Sequence, residues 1–291
     1  VGHRFVGALS YADDITLLAP TYHATRQMLQ VCEDFAAEYD VIFNGSKSQV
    51  VLMECRGRRL RLRPVIRLND NVIDYVDRTL HLGTYIGKNS HDSNVDRAIT
   101  DLHVRTRTLV SFYKHCSYNV RRTLFISFCN SFYGSVLWSM SRLNSVVVAW
   151  RRCVRLLLGI PPRTHSRYIP YLIGRPALDE DLRHRFSRFW ERCSTSENAI
   201  VQLACQLARH GSGESTVAGN LRHVSDHAAA EPDAATEAVC GVIIELLKFH
   251  ELDSPFTNAE REALIKELCL SWFFPYYSLS FHISVYRTLF A

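Results

Sequence analysis

Ala8-Leu9-Ser10-Tyr11-Ala12-Asp13-Asp14-Ile15-Thr16-Leu17-Leu18-Ala19-Pro20 is the stretch from which the rest of the chain is read. Phe5, Val6, Ala8 and Leu9 lead in, and Ile15, Thr16, Leu17 and Leu18 lead out. Residues 4–19 therefore predict two short strands around a tight turn. Pro20 ends the second strand, because proline has no amide to give a ladder. Two adjacent carboxylates, Asp13 and Asp14, stand at the tip. Packing like charges together is costly, and a divalent cation removes that cost. Carboxylates and substrate phosphates are the usual ligands of Mg²⁺. Paired ions can stabilise both the attacking and the leaving oxygen of an in-line phosphoryl displacement. The competing reading is a plain turn, where Asp is common. At average residue frequencies a chance Tyr-Ala-Asp-Asp in a chain of this size is roughly a one-in-several-hundred event.

Downstream, Thr21 is a fair N-cap, and Met28, Val31, Cys32, Phe35 and Tyr39 recur at helical spacing, predicting an amphipathic helix over 22–39. Val41 to Phe43 and Val50 to Met53 read as strands joined at an Asn44-Gly45 turn. Val65 to Leu68, Val72 to Val76 and His81 to Ile86 read as further strands. After Gly87 the pattern becomes helical, with helices over Asp96 to Lys114, Val120 to Trp138 and Val146 to Leu158. Gly159 and Pro161-Pro162 stop the last of these. Residues 178–193 and 197–209 also read as helices. Gly211 to Thr236, rich in Gly, Ser and Ala, reads as a loose linker with at best a frayed helix. Helices are expected again at 236–250 and 257–270, before an aromatic tail from Trp272 to Phe290.

Composition sets bounds. The 291 residues suit two or three compact units, and 47% hydrophobic with 22% charged residues is ordinary globular composition. The chain starts at Val1, not Met, which suggests a fragment. No secretory leader is recognisable, and no segment approaches the roughly 18 apolar residues that span a bilayer. Nine scattered cysteines without a Cys-x-x-Cys fit reduced thiols of an intracellular protein, nuclear or cytoplasmic. Cys193, Cys205, His210, His223 and His227 match no compact zinc spacing. The net charge of +5 is unevenly spread. Residues 1–55 carry −4, 56–122 carry +8, 123–195 carry +7 and 196–291 carry −6. A basic, arginine-rich middle favours a nucleic-acid partner over a merely solvated face.

The hairpin resembles the metal-binding hairpin of reverse transcriptases encoded by non-LTR (LINE-type) retrotransposons, and the order of the segments downstream of it is similar too. Phe43-Asn44-Gly45-Ser46-Lys47-Ser48 resembles the family's Asn-x-x-Lys-Ser/Thr segment, which implies that Lys47 lies near the incoming nucleotide. His81-Leu82-Gly83-Thr84-Tyr85-Ile86-Gly87 resembles the primer grip, with His81 where the family has an aromatic; Leu82 and Gly83 would hold the primer end. Phe132-Tyr133-Gly134 and the Arg151-Arg152 to Pro161 segment resemble parts of the thumb. The resemblance covers about residues 5–195.

That resemblance implies an α+β fold: the end of a right-hand polymerase palm (1–90), a helical thumb (91–175) and a helical C-terminal extension (176–291) with a loose segment near 211–236. It implies that Asp13 and Asp14 are catalytic and hold Mg²⁺ (or Mn²⁺), supported in the hairpin by Tyr11 and Ala12. Arg151, Arg152 and Arg155 would meet a nucleic-acid backbone. The partners would be an RNA template, a DNA primer and a dNTP, with no membrane. In the family a further Asp comes from an earlier palm strand, so the chain alone is expected not to polymerise. The alternative is a non-enzymatic nucleic-acid-binding module or a decayed or domesticated remnant.

Overall fold

The computed structural model describes residues 6–53, 63–210, 215–225 and, singly, 237, 240, 241, 243 and 244. Arg56 to Arg61, Cys55, His227, Cys269, the helix expected at 257–270 and the aromatic tail lie outside the described residues. The architecture is mixed α+β, with short strands in small sheets. The chain divides into two compact units, Val1–Asn94 with Glu191–Gly213 and Val95–Trp190 with Glu214–Ala291.

In the first unit, β1 (Ala8–Tyr11) pairs antiparallel with β2 (Asp14–Leu17), Tyr11 facing Asp14 across a two-residue loop. α1 (Tyr22–Tyr39) comes next, capped by Thr21, whose hydroxyl accepts from the Ala24 amide at 3.1 Å. It ends on Asp40 in the left-handed region. The face that α1 buries is not the one its apolar spacing predicts. Leu29 and Ala36 are buried, while Val31 (67% exposed), Phe35 and Tyr39 face outward, with the last two rings stacked at 4.5 Å. Leu29 packs with Ile66, Leu68 and Ile73 in a small core. Three-dimensional partners decide a helix's inner face, and periodicity alone points to the wrong one.

Residues 41–44 form no strand. Asn44 gathers the chain instead: its Oδ1 accepts from Ser46 Oγ (2.7 Å) and the Lys47 amide (3.1 Å), and its carbonyl accepts from Ser48 Oγ (2.9 Å). This side-chain turn competes with a hairpin ladder. β3 (Gln49–Val51) accordingly pairs in parallel with β6 (Asp74–Val76). β4 (Arg67–Leu68) and β5 (Asn71–Val72) make a tight antiparallel pair, as do β7 (Arg78–His81) and β8 (Thr84–Gly87). α7 (Ala199–His210) belongs to the same unit.

α2 (Ser90–Tyr113) runs from the first unit into the second. The second unit holds the larger core, in which Trp138, Trp150, Phe125 and Phe186 are almost wholly buried. The single helix expected over Val120 to Trp138 is two pieces. α3 (Tyr118–Leu124) passes into a π-helical turn, Phe125–Cys129, and the chain leaves the helix at Asn130. The departure is stabilised from outside. Asn130 Oδ1 accepts from Trp150 Nε1 (2.9 Å), and Arg105 and Arg185 donate to the backbone carbonyls of residues 128, 130 and 131. Carbonyls satisfied this way need no helical amide. α4 (Asn144–Leu158) buries eight residues and stops at Gly159 in the left-handed region, as its sequence predicts. α5 (Ile169–Ile173) and α6 (Leu178–Ser194) complete the bundle. α8 (Thr216–Ser225) is an ordered helix inside the span read as a loose linker. Its Asn220 is buried, accepting from the Met140 amide (2.8 Å) and donating to the Trp138 carbonyl (2.7 Å). A polar residue bonded inside the core makes a segment look more solvated in sequence than it is.

Candidate functional site

The acidic tip is built by strand pairing on both flanks. Tyr11 and Asp14 close the ladder, leaving Ala12 and Asp13 as the loop. Ala12 has φ +53°, a left-handed conformation that costs a residue with a Cβ about 1–2 kcal/mol. Tyr11, Ala12, Asp13 and Asp14 are all exposed. The two carboxylates thus reach solvent from the end of a hairpin whose outer edges pair with no other described strand.

A second hairpin is joined to the first by one side-chain contact. Leu82 (φ +46°) and Gly83 (φ +75°) join β7 to β8, both in the left-handed region that a tight two-residue hairpin turn of this hand requires. Leucine there is strained; glycine is not. Thr16 Oγ1 lies 3.4 Å from His81 Nε2, so β2 and β7 are joined by side chains. Asp14 and Thr16 alternate to the same face of β2. Asp14 therefore shares a face with the residue that touches the base of the Leu82-Gly83 turn. Read from sequence, His81 is only a substituted aromatic and Thr16 draws no notice. The strand's own two-residue alternation is the signal that pairs Thr16 with Asp14.

Lys47 is exposed on the loop that Asn44 organises. Two residues later Gln49 Oε1 accepts from Thr79 Oγ1 of β7 at 2.7 Å. The Lys47 loop is thus anchored to the strand that carries the Leu82-Gly83 turn. Gly45 is buried there, and an added Cβ would fall 2.7 Å from the Asn71 Cβ. Gly87, at the end of β8, has φ +126°; a Cβ on it would meet the Asp77 carbonyl and lie 2.8 Å from the Arg78 Cα. Arg63, the described end of the basic run, places its guanidinium 5.8 Å from the Tyr75 ring centre.

Arg151, Arg152 and Arg155 belong to the second unit. They do not share one role. Arg152 is exposed, whereas Arg155 donates to the Thr164 carbonyl (3.1 and 2.8 Å) and to Ser166 Oγ (3.1 Å). Burial, with Arg151 and Arg152 nearby, lowers the Arg155 pKa. His165 is pushed down from its usual range by burial and by Arg167, Arg155 and Arg151. Its Nδ1 accepts from the Arg167 amide at 3.2 Å. Cations crowd this end of α4.

Two adjacent carboxylates suit an ion such as Mg²⁺, which takes one or two carboxylates and completes its shell with water and substrate phosphate. Among the described residues no group of three or more His, Cys, Asp or Glu side chains is disposed to hold a metal. The described residues include no helix long and apolar enough to cross a membrane. Comparisons with family models, with curated proteins and with solved structures found no match for this chain.

Proposed function

We propose that the chain is a piece of an RNA-directed DNA polymerase of the non-LTR retrotransposon kind: the end of a palm, then a helical thumb and extension. The observation that carries this reading is the Thr16–His81 contact, which joins the strand after the Asp13-Asp14 tip to the strand before the Leu82-Gly83 turn. An acidic hairpin next to a turn suited to a primer end is what nucleotidyl transfer needs. A bound pair of Mg²⁺ (or Mn²⁺) ions would supply charge stabilisation for the attacking and leaving oxygens. Asp13 and Asp14 would hold the ions. Leu82 and Gly83 would hold the 3′ end of a DNA primer on an RNA template. Lys47, on a loop fixed by Asn44, would face the dNTP phosphates. Arg152 and Arg151 would meet the duplex backbone.

Two observations favour an incomplete catalytic unit. The hairpin β1–β2 pairs with no other described strand. Leu9, Ile15, Val31, Phe35 and Tyr39 expose apolar surface on and after it. Further palm strands, carrying a third carboxylate, would cover such a surface. The second reading, a nucleic-acid binder without catalysis, is favoured by the two-carboxylate donor set and by the charge of residues 95–190. These hold 16 Lys+Arg against 5 Asp+Glu, a net +11.

Primer extension and duplex binding test both. The purified chain is expected to bind an RNA–DNA primer–template with affinity that falls by orders of magnitude between about 50 and 200 mM salt. It is expected to incorporate no dNTP. Mn²⁺ bound in the presence of dNTP, followed by its paramagnetic signal, should be lost in Asp13→Asn. Extension that Asp13→Asn abolishes would make the chain a complete polymerase. Mn²⁺ binding unchanged by Asp13→Asn would remove the polymerase reading and leave the binder.

A further inference from the structure

The segment from Phe125 to Gly134 has an unusual construction. It opens with a π-helical turn, a feature often placed at functional sites. Phe132 then takes φ +42°, a conformation rare for a bulky residue, and Gly134 takes φ +73°. Observed strain of this kind points to a constraint imposed by use. The segment is also clamped. Arg105 donates to the Phe128 carbonyl (3.0 Å) and to Ser131 Oγ (3.2 Å), and Arg185 donates to the carbonyls of Ser131 (2.5 Å) and Asn130 (2.9 Å). Phe132 is buried edge-to-face on Trp138, with ring centres 6.2 Å apart. Yet two large rings on the same ten residues face water: Phe128 is 63% and Tyr133 73% exposed. The contacts that hold this backbone, to Trp150, Trp138, Arg105 and Arg185, leave the Phe128 and Tyr133 rings largely exposed.

We propose that Phe128 and Tyr133 form a stacking platform for the unpaired bases of a single nucleic-acid strand. Charge argues for this occupant. Residues 95–190, which include the platform, carry a net +11, and exposed Arg107 lies on α2, the helix whose Arg105 holds the Phe128 carbonyl. An aromatic ring offers its face to any base, and cations alongside track the phosphates, which together give sequence-tolerant single-strand binding. The inference rests on the nucleic-acid reading above but concerns residues with no part in the acidic hairpin.

The test uses the full chain and three fluorescein-labelled probes: oligo(dT), a duplex of the same length, and an abasic strand of the same length and charge. Binding is read by anisotropy. Wild type is expected to bind oligo(dT) more tightly than the abasic strand. Phe128→Ala and Tyr133→Ala are each expected to weaken oligo(dT) binding about tenfold, the scale of one lost stack, and to leave duplex binding unchanged. Phe128→Trp should retain affinity and show indole fluorescence quenched by oligo(dT), which a structural role would not produce. Equal affinity for oligo(dT) and the abasic strand, or alanine variants that bind oligo(dT) as wild type does, would overturn the platform while duplex binding keeps the nucleic-acid reading. No binding of any probe would remove both. An alanine loss shared equally by oligo(dT) and duplex would make the rings structural and overturn the platform.

Discussion

Thr16 Oγ1 stands 3.4 Å from His81 Nε2, across 65 residues of sequence, and so couples the acidic hairpin to the Leu82-Gly83 hairpin. Thr16→Val keeps the shape and removes the hydroxyl. It is expected to lower stability by about 1 kcal/mol, the usual net worth of such a bond. A double-mutant cycle with His81→Ala measures the coupling directly. A coupling energy near zero would mean that the two hairpins are neighbours without being joined.

Two glycines with positive φ separate crowding from conformation. Gly159 has φ +67° with nothing within 4 Å of an added Cβ, whereas at Gly87 the Cβ would lie 2.8 Å from the Arg78 Cα and 3.1 Å from Val51 Cγ1. Gly159→Ala should cost about 1 kcal/mol, the conformational penalty alone. Gly87→Ala should cost more than about 2 kcal/mol, because backbone must move as well. Urea unfolding of both variants checks the order.

Cys240 is buried, and burial pushes its thiol up from 9.0 to about 11. The folded state therefore holds the proton more tightly than the unfolded chain does. Its contribution to stability is complete below pH 9 and is lost as pH rises toward 11. The full loss, at about 1.4 kcal/mol for each pKa unit, is about 3 kcal/mol. Denaturant midpoints over that range should fall less steeply in Cys240→Ala than in wild type.

Arg152 and Arg155 should separate by phenotype although they lie three residues apart. Exposed Arg152 is expected to act on ligand: Arg152→Ala should weaken binding evenly across sequences and reduce the salt slope by about 1. Arg155 holds the Thr164 carbonyl and Ser166 Oγ, so Arg155→Ala should lower thermal stability first. Melting curves and salt titrations on the same two variants decide this.

Asn130 provides a further test of the second unit's core. Asn130→Ala leaves the Trp150 indole N–H buried without its partner, at a cost of about 1–3 kcal/mol. Calorimetric unfolding of the variant measures it. No loss would mean that the helix departure at Asn130 is set by the Arg105 and Arg185 contacts alone.

What the sequence made legible was what is local. The β1–β2 hairpin announces itself through apolar strands around Tyr11 to Asp14, and α1 and α4 are fixed at their ends by Thr21 and Gly159. What it concealed was non-local. The parallel pairing of Gln49–Val51 with Asp74–Val76 leaves no trace in either segment alone. The break at Asn130 depends on Trp150, Arg105 and Arg185, which are distant in sequence. Asn220 looks like a linker residue until its two backbone partners are seen. For the site, the acidic tip and the Leu82-Gly83 turn could each be read separately. The link between the two hairpins could not, because it rests on one threonine and one histidine.

The residues at the two hairpin tips carry an evolutionary consequence. Ala12 and Leu82 occupy backbone positions where glycine is the better tenant. A library randomised at positions 12 and 82 and sorted only for folding should therefore drift to glycine, or to asparagine at 82. The same library sorted for duplex or Mn²⁺ retention reports which side chain is under selection. Drift at both positions would mark the tips as neutral geometry. Retention of Ala12 or Leu82 would identify a residue kept against its own conformational preference.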